Sequence, residues 1–463
     1  MPPLLHTNLI IQTKMSISRR KFIKGAAIAA AMPLIFKGSL FARGNVRPNS
    51  RCNLGVIGVG KMADGHLNGL ADLPYCRVTA LCDVDDKRLA FWSKKLVDKY
   101  ERKNFAHDKP KCYKDFRELL ADPSIDAVYI TTPDHWHAII SILAARAGKA
   151  IYCEKPMTFS VEEARKVTKA VQDAGVVFQV GSQQRSDEGF RRAAQLARNG
   201  HLGEVKEVWA RLNYGLASTR NWKYEEVPAG VDWDMWCGPA PYNPYSQSLL
   251  PMLSDSEEPY SEHGFPAWRD HLDYGNSNQA DFGAHHYDIG LWGLGLDGKG
   301  PDEIIVSDKG DLPGLKNSRQ YMYLAKGPQG NEVKIIKGNQ PDVPFDYAVT
   351  FVGTEGIVAA DRGAKFWANK NSLNDMKIAD SDLVYQKSAN NSHRDNFFDA
   401  VFNGSPVVAP VEGGRSSAEI SIIGNIAYRL GRSLKWDWKN GRFDDDEANQ
   451  FLSRPNRGEW ALI

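Results

Sequence analysis

The sequence predicts an α/β protein with a doubly wound parallel sheet in its first half and an antiparallel or mixed sheet in its second. Three observations indicate this. Apolar strands alternate with amphipathic, helix-like stretches up to residue 174. A glycine-rich turn joins the first strand to its helix. In the second half the strands alternate apolar and polar residues, which is typical of a sheet with one packed face.

Length and composition exclude several classes of protein. The 463 residues suffice for two or three domains. Hydrophobic residues make up 42% and charged residues 25%, as in an average soluble globular chain, which argues against disorder and fibrous repeats. The net charge of +2 gives no electrostatic reason to expect nucleic acid as a partner. Six cysteines without a CxxC pair are too few for a disulfide scaffold.

Residues 1–42 are predicted to be an export signal. The order Ser-Arg-Arg-Lys-Phe-Ile-Lys contains Arg19 and Arg20, and an apolar stretch over 25–36 and the small residue Ala42 follow. The stretch is too short to span a membrane, so no stable membrane insertion is expected. The pattern resembles a twin-arginine signal, which exports folded proteins and predicts a periplasmic location. A Sec signal or a basic tail is the alternative.

The first strand, 54–57, runs into a turn that is suited to a dinucleotide. Glycines at 58 and 60 let the backbone approach a pyrophosphate at the helix N-terminus. The second strand, 77–82, ends in Asp83, whose carboxylate can accept hydrogen bonds from the adenine ribose and would repel a 2′-phosphate. We therefore predict a Rossmann domain over 50–174 that binds NAD rather than NADP. A tight turn and a simple strand-end turn residue are the structural alternatives.

The alternation continues through helix 114–121, strand 126–130, helix 137–147, strand 150–153, helix 160–174 and strand 176–180. Two of these strands end in unusual residues. One end reads Thr-Thr-Pro-Asp-His-Trp-His over 131–137, and the other reads Glu-Lys-Pro over 154–156. Because ligands bind at the carboxyl ends of parallel strands, we expect both segments at the ligand site.

These segments resemble the Gfo/Idh/MocA family of nicotinamide-dependent sugar and polyol oxidoreductases. The similarity continues through 275–285 and the tail segments 434–437 and 445–449, and so covers nearly the whole chain after residue 50. Glu-Lys-Pro after a glycine fingerprint is the most specific short motif of that family. The resemblance implies cofactor contacts from Gly58, Gly60, Lys61, Met62, Ala63, Asp83, Thr132, Pro133, His137, Glu154 and Lys155.

The resemblance also implies an α+β domain over 175–463, with a large open mixed or antiparallel sheet that often forms dimers or tetramers. Its tail could pack back on the Rossmann domain. Alternating strands are predicted over 205–214, 303–307, 320–324 and 332–336. Residues 215–275 are loop-like, and loops of that length are usually functional or disordered. Their many aromatic residues argue against disorder.

A candidate catalytic group includes Asp281 and His285, which stand four apart and share a face if the segment is helical. The resemblance implies that they act together with Lys155. A neutral His285 is a suitable base, and a lysine ammonium stabilises developing alkoxide charge. Asp281 could orient the imidazole or contact a neighbouring hydroxyl. The alternative is a helix cap and a core histidine.

Substrate contacts are predicted for His285 and four further residues. Gln183 and Arg185 follow strand 176–180 and could bind sugar hydroxyls, although Arg185 could equally start a helix. Trp233 and Trp236 could stack on a pyranose, although single tryptophans are more often core residues. No metal is expected, because the histidines lack metal-ligand spacing such as HExxH.

The leading hypothesis is an NAD-dependent oxidoreductase that oxidises a ring hydroxyl of a sugar, glycoside or polyol to a ketone. The periplasm offers no obvious pool of NAD, so an exported enzyme would carry its cofactor tightly bound. An NAD-recycling glycoside hydrolase is the alternative, by oxidation, elimination, addition and reduction. The presence of Lys155, Asp281 and His285 favours the dehydrogenase. It also argues against a third option, a non-catalytic sugar-binding protein.

Overall fold

The computed structural model describes residues 51–105, 107–212, 222–252, 266–314, 319–379 and 392–462. The predicted export signal, the end of the strand predicted over 205–214 and much of the loop-like region 215–275 lie outside these ranges. In the ranges that are described, no helix combines the length and apolar character that crossing a membrane would need.

The first domain contains the predicted parallel sheet. Its six strands lie in the order β3-β2-β1-β4-β5-β6, and every neighbouring pair is parallel. The strands are β1 Cys52–Ile57, β2 Cys76–Cys82, β3 Lys111–Tyr113, β4 Ala127–Ile130, β5 Ala150–Cys153 and β6 Phe178–Val180. The sheet thus continues past the boundary expected at residue 174. Strand order reverses between β1 and β4, where a crevice for a ligand opens.

The helices of this domain are α1 Lys61–Leu70, α2 Asp86–Arg102, α3 Phe116–Ala121, α4 Asp134–Arg146 and α5 Val161–Ala174. Local sequence explains where two of them begin. Ser160 and Glu163 form a capping box that starts α5, close to the predicted residue 160. Helix α4 begins at Asp134, earlier than the predicted residue 137, because Pro133 is in the extended conformation of an N-cap. This earlier start places Asp134 at the edge of the crevice.

The second domain has the predicted mixed sheet, with nine strands in the order β13-β12-β11-β7-β10-β9-β8-β14-β15. Strands β7 and β10 pair in parallel, and the other pairs are antiparallel. The strands are β7 Val205–Ala210, β8 Glu303–Ser307, β9 Gln320–Lys326, β10 Glu332–Lys337, β11 Val349–Gly353, β12 Ile357–Asp361, β13 Lys365–Ala368, β14 Leu434–Asp437 and β15 Arg442–Phe443. Strands β11 to β15 were not predicted from the sequence.

The remaining helices are α6 Glu188–Arg198, α7 Trp233–Cys237, α8 Ser277–Leu294, α9 Asn371–Asn374, α10 His393–Asn403, α11 Val411–Leu430 and α12 Asp446–Asn449. Three of them, α6, α8 and α11, pack on one face of the nine-stranded sheet. The other face carries a small apolar cluster of Trp209, Met322 and Ile336.

The C-terminal part of the chain packs back on the first domain. The Phe397 ring lies against Tyr129, and the Trp460 ring contacts Trp136 edge-on at 4.8 Å. The carbonyl of Leu452 accepts a hydrogen bond from the backbone N–H at the start of α5. These contacts hold the two sheets in one arrangement, on which the site between them depends.

A buried ion-pair cluster fixes α8 beside the end of the parallel sheet. The side chain of Arg185 is 1% exposed and donates to both carboxylate oxygens of Asp288 at 2.7 Å and to Asp297 at 2.7 and 3.0 Å. Burial lowers the pKa of Arg185, but the two carboxylates outweigh it and keep the guanidinium charged. The structure therefore gives Arg185 a structural position and not the predicted sugar contact, since its guanidinium edge is occupied.

We expect Arg185→Met to lower the free energy of unfolding by about 3–5 kcal/mol, because it leaves the Asp288 carboxylate buried without its cation. Chemical denaturation measures this. Lys169→Met is the control, because Lys169 and Asp173 form an exposed pair that contributes about 0.5 kcal/mol or less. Equal, small losses in the two variants would contradict the role given to the buried cluster.

Candidate active site

A cleft of about 1270 Å³, including its open mouth, lies along the carboxyl edge of the parallel sheet. Three parts of the chain line it: the turn after β1, the residues that follow β2, β4 and β5, and segments of the second domain. Asp83 follows β2 and Lys155 follows β5, on opposite sides of the β1–β4 centre in the strand order. The cleft therefore runs across the crevice in the direction expected for a dinucleotide.

The turn after β1 can be built only with glycine at position 58. Gly58 has φ +84°, and a Cβ there would lie 2.8 Å from the backbone nitrogen of Thr132. Gly60 is the N-cap of α1 and carries no side chain, so a pyrophosphate can approach the N-terminus of this helix closely. Lys61 and Met62 also line the cleft, whereas Ala63 is fully buried in the core, where it packs the helix on the sheet.

Asp83 is held with its carboxylate toward the cleft. Its oxygens accept hydrogen bonds from the backbone N–H groups of Val59 at 2.7 Å and Asp85 at 3.0 Å. Burial raises the pKa of Asp83, while the charge of Arg88 opposes this rise. An ionised carboxylate has about four acceptor positions, so two remain for the hydroxyls of a ribose.

Thr132, Pro133 and His137 line the cleft at the end of β4. The Thr132 hydroxyl is buried and has no hydrogen-bond partner among the described residues. The two ring nitrogens of His137 lie 2.8 Å from the Thr132 carbonyl and 2.7 Å from the Pro156 carbonyl, so this side chain connects the two strand-end loops. An unpartnered hydroxyl beside a turn that excludes side chains fits a bound dinucleotide.

Glu154 and Gln183 hold the loop that carries Lys155 through hydrogen bonds. The Glu154 carboxylate lies 2.8 Å from His66 Nε2 and accepts a hydrogen bond of 2.7 Å from Gln183. Burial raises its pKa, but the hydrogen bond from His66 and the charges of His66 and Lys155 outweigh burial and lower it below the ordinary value. Gln183, predicted to contact substrate, instead holds Glu154 and Tyr152 and is not among the residues that line the cleft.

Lys155 and Asp281 form a direct ion pair across the cleft, with side chains that are 12% and 18% exposed. The Lys155 ammonium donates to Asp281 Oδ1, and Arg269 Nε lies 3.9 Å from the same oxygen. Burial opposes ionisation of Asp281, but the charges of Lys155 and Arg269 outweigh it and lower its pKa. Two members of the expected catalytic group thus form an ion pair, which joins the two domains.

His285 lies one helical turn beyond Asp281 on α8, as the four-residue spacing predicts. It is 8% exposed, and its Nδ1 is buried without a partner among the described residues. Burial and then the charge of Lys155 lower the pKa of His285 well below its ordinary value. The ring is therefore neutral at physiological pH and can accept a proton. The following residue, His286, is held between Arg362 Nη1 at 2.9 Å and the Arg211 carbonyl.

Trp233 and Trp236 belong to an apolar cluster with Tyr245, Leu249 and Trp268. The indoles of Trp233 and Trp236 stack with centroids 4.3 Å apart, and both residues are almost fully buried. Trp236 lines the cleft, but Trp233 does not. Trp233 therefore stabilises this cluster and does not form the predicted stacking surface for a sugar.

Residues 222–252, which we call the cover segment, lie over the Asp83 end of the cleft. Asp232 N–H donates to the Val84 carbonyl at 3.0 Å, and Asp86 N–H donates to the Gly230 carbonyl at 3.2 Å. Lys114 Nζ donates to the same Gly230 carbonyl at 2.7 Å. Residues 249–252 of this segment line the cleft. The second domain therefore supplies part of the wall around the ribose end of a dinucleotide.

Several residues that line the cleft were not predicted as site residues, among them Asp134, Trp268 and Arg269. Asp134 lay in the strand-end motif over 131–137, where its position after Pro133 could have drawn attention. No local pattern marks the other two. Within the described ranges, no group of three or more His, Cys, Asp or Glu side chains is placed to hold a metal ion.

A Rossmann sheet whose cleft is completed by a carboxylate from a second domain, with a histidine one helical turn further along the same helix, defines a two-domain dinucleotide-dependent oxidoreductase. Comparison with family models agrees. The model described as "Oxidoreductase family, NAD-binding Rossmann fold" matches residues 52–182, and the one described as "Oxidoreductase family, C-terminal alpha/beta domain" matches residues 208–462. The chain belongs to the Gfo/Idh/MocA oxidoreductase family, and its first domain is an NAD-binding Rossmann domain. The family and the cofactor predicted from the sequence are confirmed.

Known proteins show more distant similarity. Inositol 2-dehydrogenase of Salmonella typhimurium is 26% identical over 216 residues, 44% of this chain and 61% of that protein. Levoglucosan dehydrogenase of Pseudarthrobacter phenanthrenivorans is 33% identical over 182 residues, 38% of this chain and 46% of that protein. Each match spans less than two thirds of the relative. The structure of aldose-aldose oxidoreductase from Caulobacter crescentus, complexed with glycerol, has the same fold, with a TM-score of 0.53 at 18% identity over 83% of this chain and 99% of that one.

Replacing Asp83 should weaken NAD binding. We expect Asp83→Ser to raise the Kd for NAD by about 10- to 100-fold, because hydrogen bonds to a charged group contribute about 1.5–3 kcal/mol. Discrimination against NADP should fall at the same time, because the repulsion of a 2′-phosphate is lost. Isothermal titration with both nucleotides measures this, with Asp98→Ser as the control further along α2, where Asp98 pairs with the exposed Lys94. An unchanged ratio of the two affinities would mean that Asp83 does not contact the ribose.

Proposed function

We propose that this protein oxidises a ring hydroxyl of a sugar, glycoside or polyol to a ketone, with NAD as the hydride acceptor. The observation that carries this proposal is the Lys155–Asp281 ion pair at the end of the cleft opposite Asp83, with a neutral His285 one turn beyond Asp281 on α8. A cation beside a proton acceptor is what removal of a hydroxyl proton requires. The names of the relatives, which act on inositol and levoglucosan, support a polyhydroxylated substrate.

Each protein group has a defined part in the reaction. NAD, when bound, accepts the hydride from the carbinol carbon. His285 accepts the hydroxyl proton through a ring nitrogen, which its low pKa leaves unprotonated. The Lys155 ammonium stabilises the developing alkoxide, and Asp281 keeps that ammonium in place. Glu154 and His66 fix the loop that carries Lys155. The buried surroundings strengthen each of these electrostatic interactions.

The enzyme is further proposed to be exported with its cofactor already bound. The predicted twin-arginine signal supports export in the folded state. The cover segment supports tight binding, because it contributes both backbone hydrogen bonds to the first domain and apolar lining over the cleft. A captive cofactor must be restored within the protein, which favours a second carbonyl substrate that takes the hydride back.

Assembly as a dimer or tetramer is also proposed. The face of the nine-stranded sheet that the helices do not cover carries Trp209, Met322 and Ile336, with partly buried Ile305 and Leu324 beside them. Trp209, Met322 and Ile336 are already buried in one copy, and a second copy of the sheet would bury the exposed parts of Ile305 and Leu324 beside them. Analytical ultracentrifugation tests this proposal.

Replacing His285 should remove catalysis and leave binding intact. We expect His285→Gln to lower kcat by about 10²- to 10⁴-fold, which is the usual contribution of a positioned base, with an unchanged NAD content. Sugar-dependent NADH absorbance in a single turnover measures it. The control is His107→Gln, because His107 does not line the cleft and its Nδ1 lies 2.8 Å from the Phe105 carbonyl. If the wild-type protein binds sugars but oxidises none of a panel of sugars, glycosides and polyols, a binding protein replaces this proposal.

The purified mature protein should release NAD(H) in stoichiometric amount on denaturation, as measured by mass spectrometry. Lys114→Met should speed NAD dissociation by roughly two- to tenfold, because it removes the hydrogen bond between the cover segment and the first domain. Lys111→Met is the control, because Lys111 lies three residues earlier, on β3, and pairs with Asp122 at the end of α3. Protein that purifies without nucleotide, or that exchanges it within seconds, would contradict a captive cofactor.

A further inference from the structure

Asp134 lines the cleft but has no role in the proposed oxidation. It is the first residue of α4, directly after the Thr132-Pro133 segment, and it lines the same cleft as Lys155 and Asp281. The residue is only 5% exposed. A carboxyl group that is buried at the reacting end of a cleft needs a compensating function, because burial of the ionised form is costly.

Charged and polar groups from several elements face Asp134. The end of β5 contributes Lys155 and the thiol of Cys153, the turn before α8 contributes Arg269, and α8 itself contributes Asp281. The tail adds Arg454, and the backbone N–H of Asn276 hydrogen-bonds to the carboxyl. The two nearest cations, Lys155 and Arg269, are shared with Asp281, and Lys155 bonds directly to Asp281.

The pKa values of the two carboxyl groups in the cleft, Asp134 and Asp281, are therefore shifted in opposite directions. Burial, together with the negative charge of Asp281, raises the pKa of Asp134 to about 8, although Arg269 and Lys155 oppose the rise. The pKa of Asp281 is lowered by the same two cations. At neutral pH the cleft thus holds one carboxylic acid and one carboxylate. When neighbouring titratable groups have pKa values shifted apart in this way, they commonly serve as the acid and the base of a catalysed reaction.

We propose that Asp134 is the proton-storage residue of this active site, which keeps the proton lost by one hydroxyl until a carbonyl oxygen takes it back. The inference rests on the proposed function and extends it to both half-reactions of a captive cofactor. In the first, the hydroxyl proton of the alcohol ends on the Asp134 carboxylate, while bound NAD would take the hydride. In the second, the hydride reduces a carbonyl carbon and Asp134 protonates the oxygen, which leaves no net proton and no net electron.

Electrostatics couples the stored proton to the redox state. The positive charge of an oxidised nicotinamide favours the carboxylate form of Asp134, and its loss on reduction favours the acid form. The Asp134 carboxyl group should therefore be ionised when the proton arrives and protonated while the reduced cofactor holds the hydride. Asp281 cannot do this, because its direct bond to the Lys155 ammonium keeps it ionised in both states.

Infrared difference spectroscopy on the full-length mature protein tests the proposal without a sugar. The probe is the protein loaded with NAD or with NADH at pH 7, and the signal is the C=O band of a protonated carboxylic acid. We expect the NADH form to gain this band, which shifts in D₂O, and Asp134→Asn to lack the gain. Asp126→Asn should retain the gain, because Asp126 is a partly buried carboxyl with a raised pKa that precedes β4, away from the cleft.

A kinetic readout separates proton storage from a merely structural position. We expect Asp134→Asn to lower kcat by about 10²-fold with KM, NAD content and melting temperature unchanged, and Asp134→Glu to restore part of the rate. An identical band gain in the Asn variant, or an unchanged kcat, would overturn the proposal. If the band responds as expected but no sugar, glycoside or polyol is turned over, then the proposed substrate class is wrong and the coupling of Asp134 to the cofactor stands.

Discussion

The ion pair between Lys155 and Asp281 is the interaction on which the site depends, because it joins a strand-end loop of the first domain to a helix of the second. Neither domain contains the pair alone. Its geometry is held from both sides: Glu154 and His66 fix the loop behind Lys155, and the buried Arg185 cluster fixes α8 behind Asp281. The site can therefore form only when the two domains dock correctly. The buried Arg185 cluster contributes to this docking, because it fixes the helix that carries Asp281.

The same ammonium also decides the protonation of its neighbours. It keeps Asp281 ionised by direct contact, and its charge reinforces burial in keeping His285 neutral. Asp134 shares that ammonium only at longer range, so burial decides its state and it remains an acid. The site thus combines a carboxylate that this lysine stabilises, a base that it helps to keep unprotonated, and a carboxylic acid that burial maintains against the charge of the lysine. That combination is difficult to obtain in water, where the same three side chains would titrate between about pH 4 and 7.

The sequence predicted the first domain well because its signals are local. A strand followed by a glycine turn, an acid at the next strand end and a capping box at Ser160 each act within a few residues. Strands β11 to β13 are only four or five residues long and were missed. Their place is set by pairing with distant strands, since β11 lies against β7. The roles expected for Arg185 and Trp233 were not found for the same reason, because Asp288, Asp297 and Trp236 decide where those side chains lie.

The cover segment shows what its aromatic residues do in the absence of regular structure. Apart from the five-residue α7, this segment has no helix or strand to satisfy its backbone, yet it must hold a fixed surface over Asp83. Stacking Trp233 on Trp236 and burying Trp268 and Tyr245 beside them give it a small core of its own. The cover segment can be displaced only if that apolar surface becomes exposed, which is costly. The tryptophans that look suited to binding a sugar therefore slow the release of the nucleotide instead.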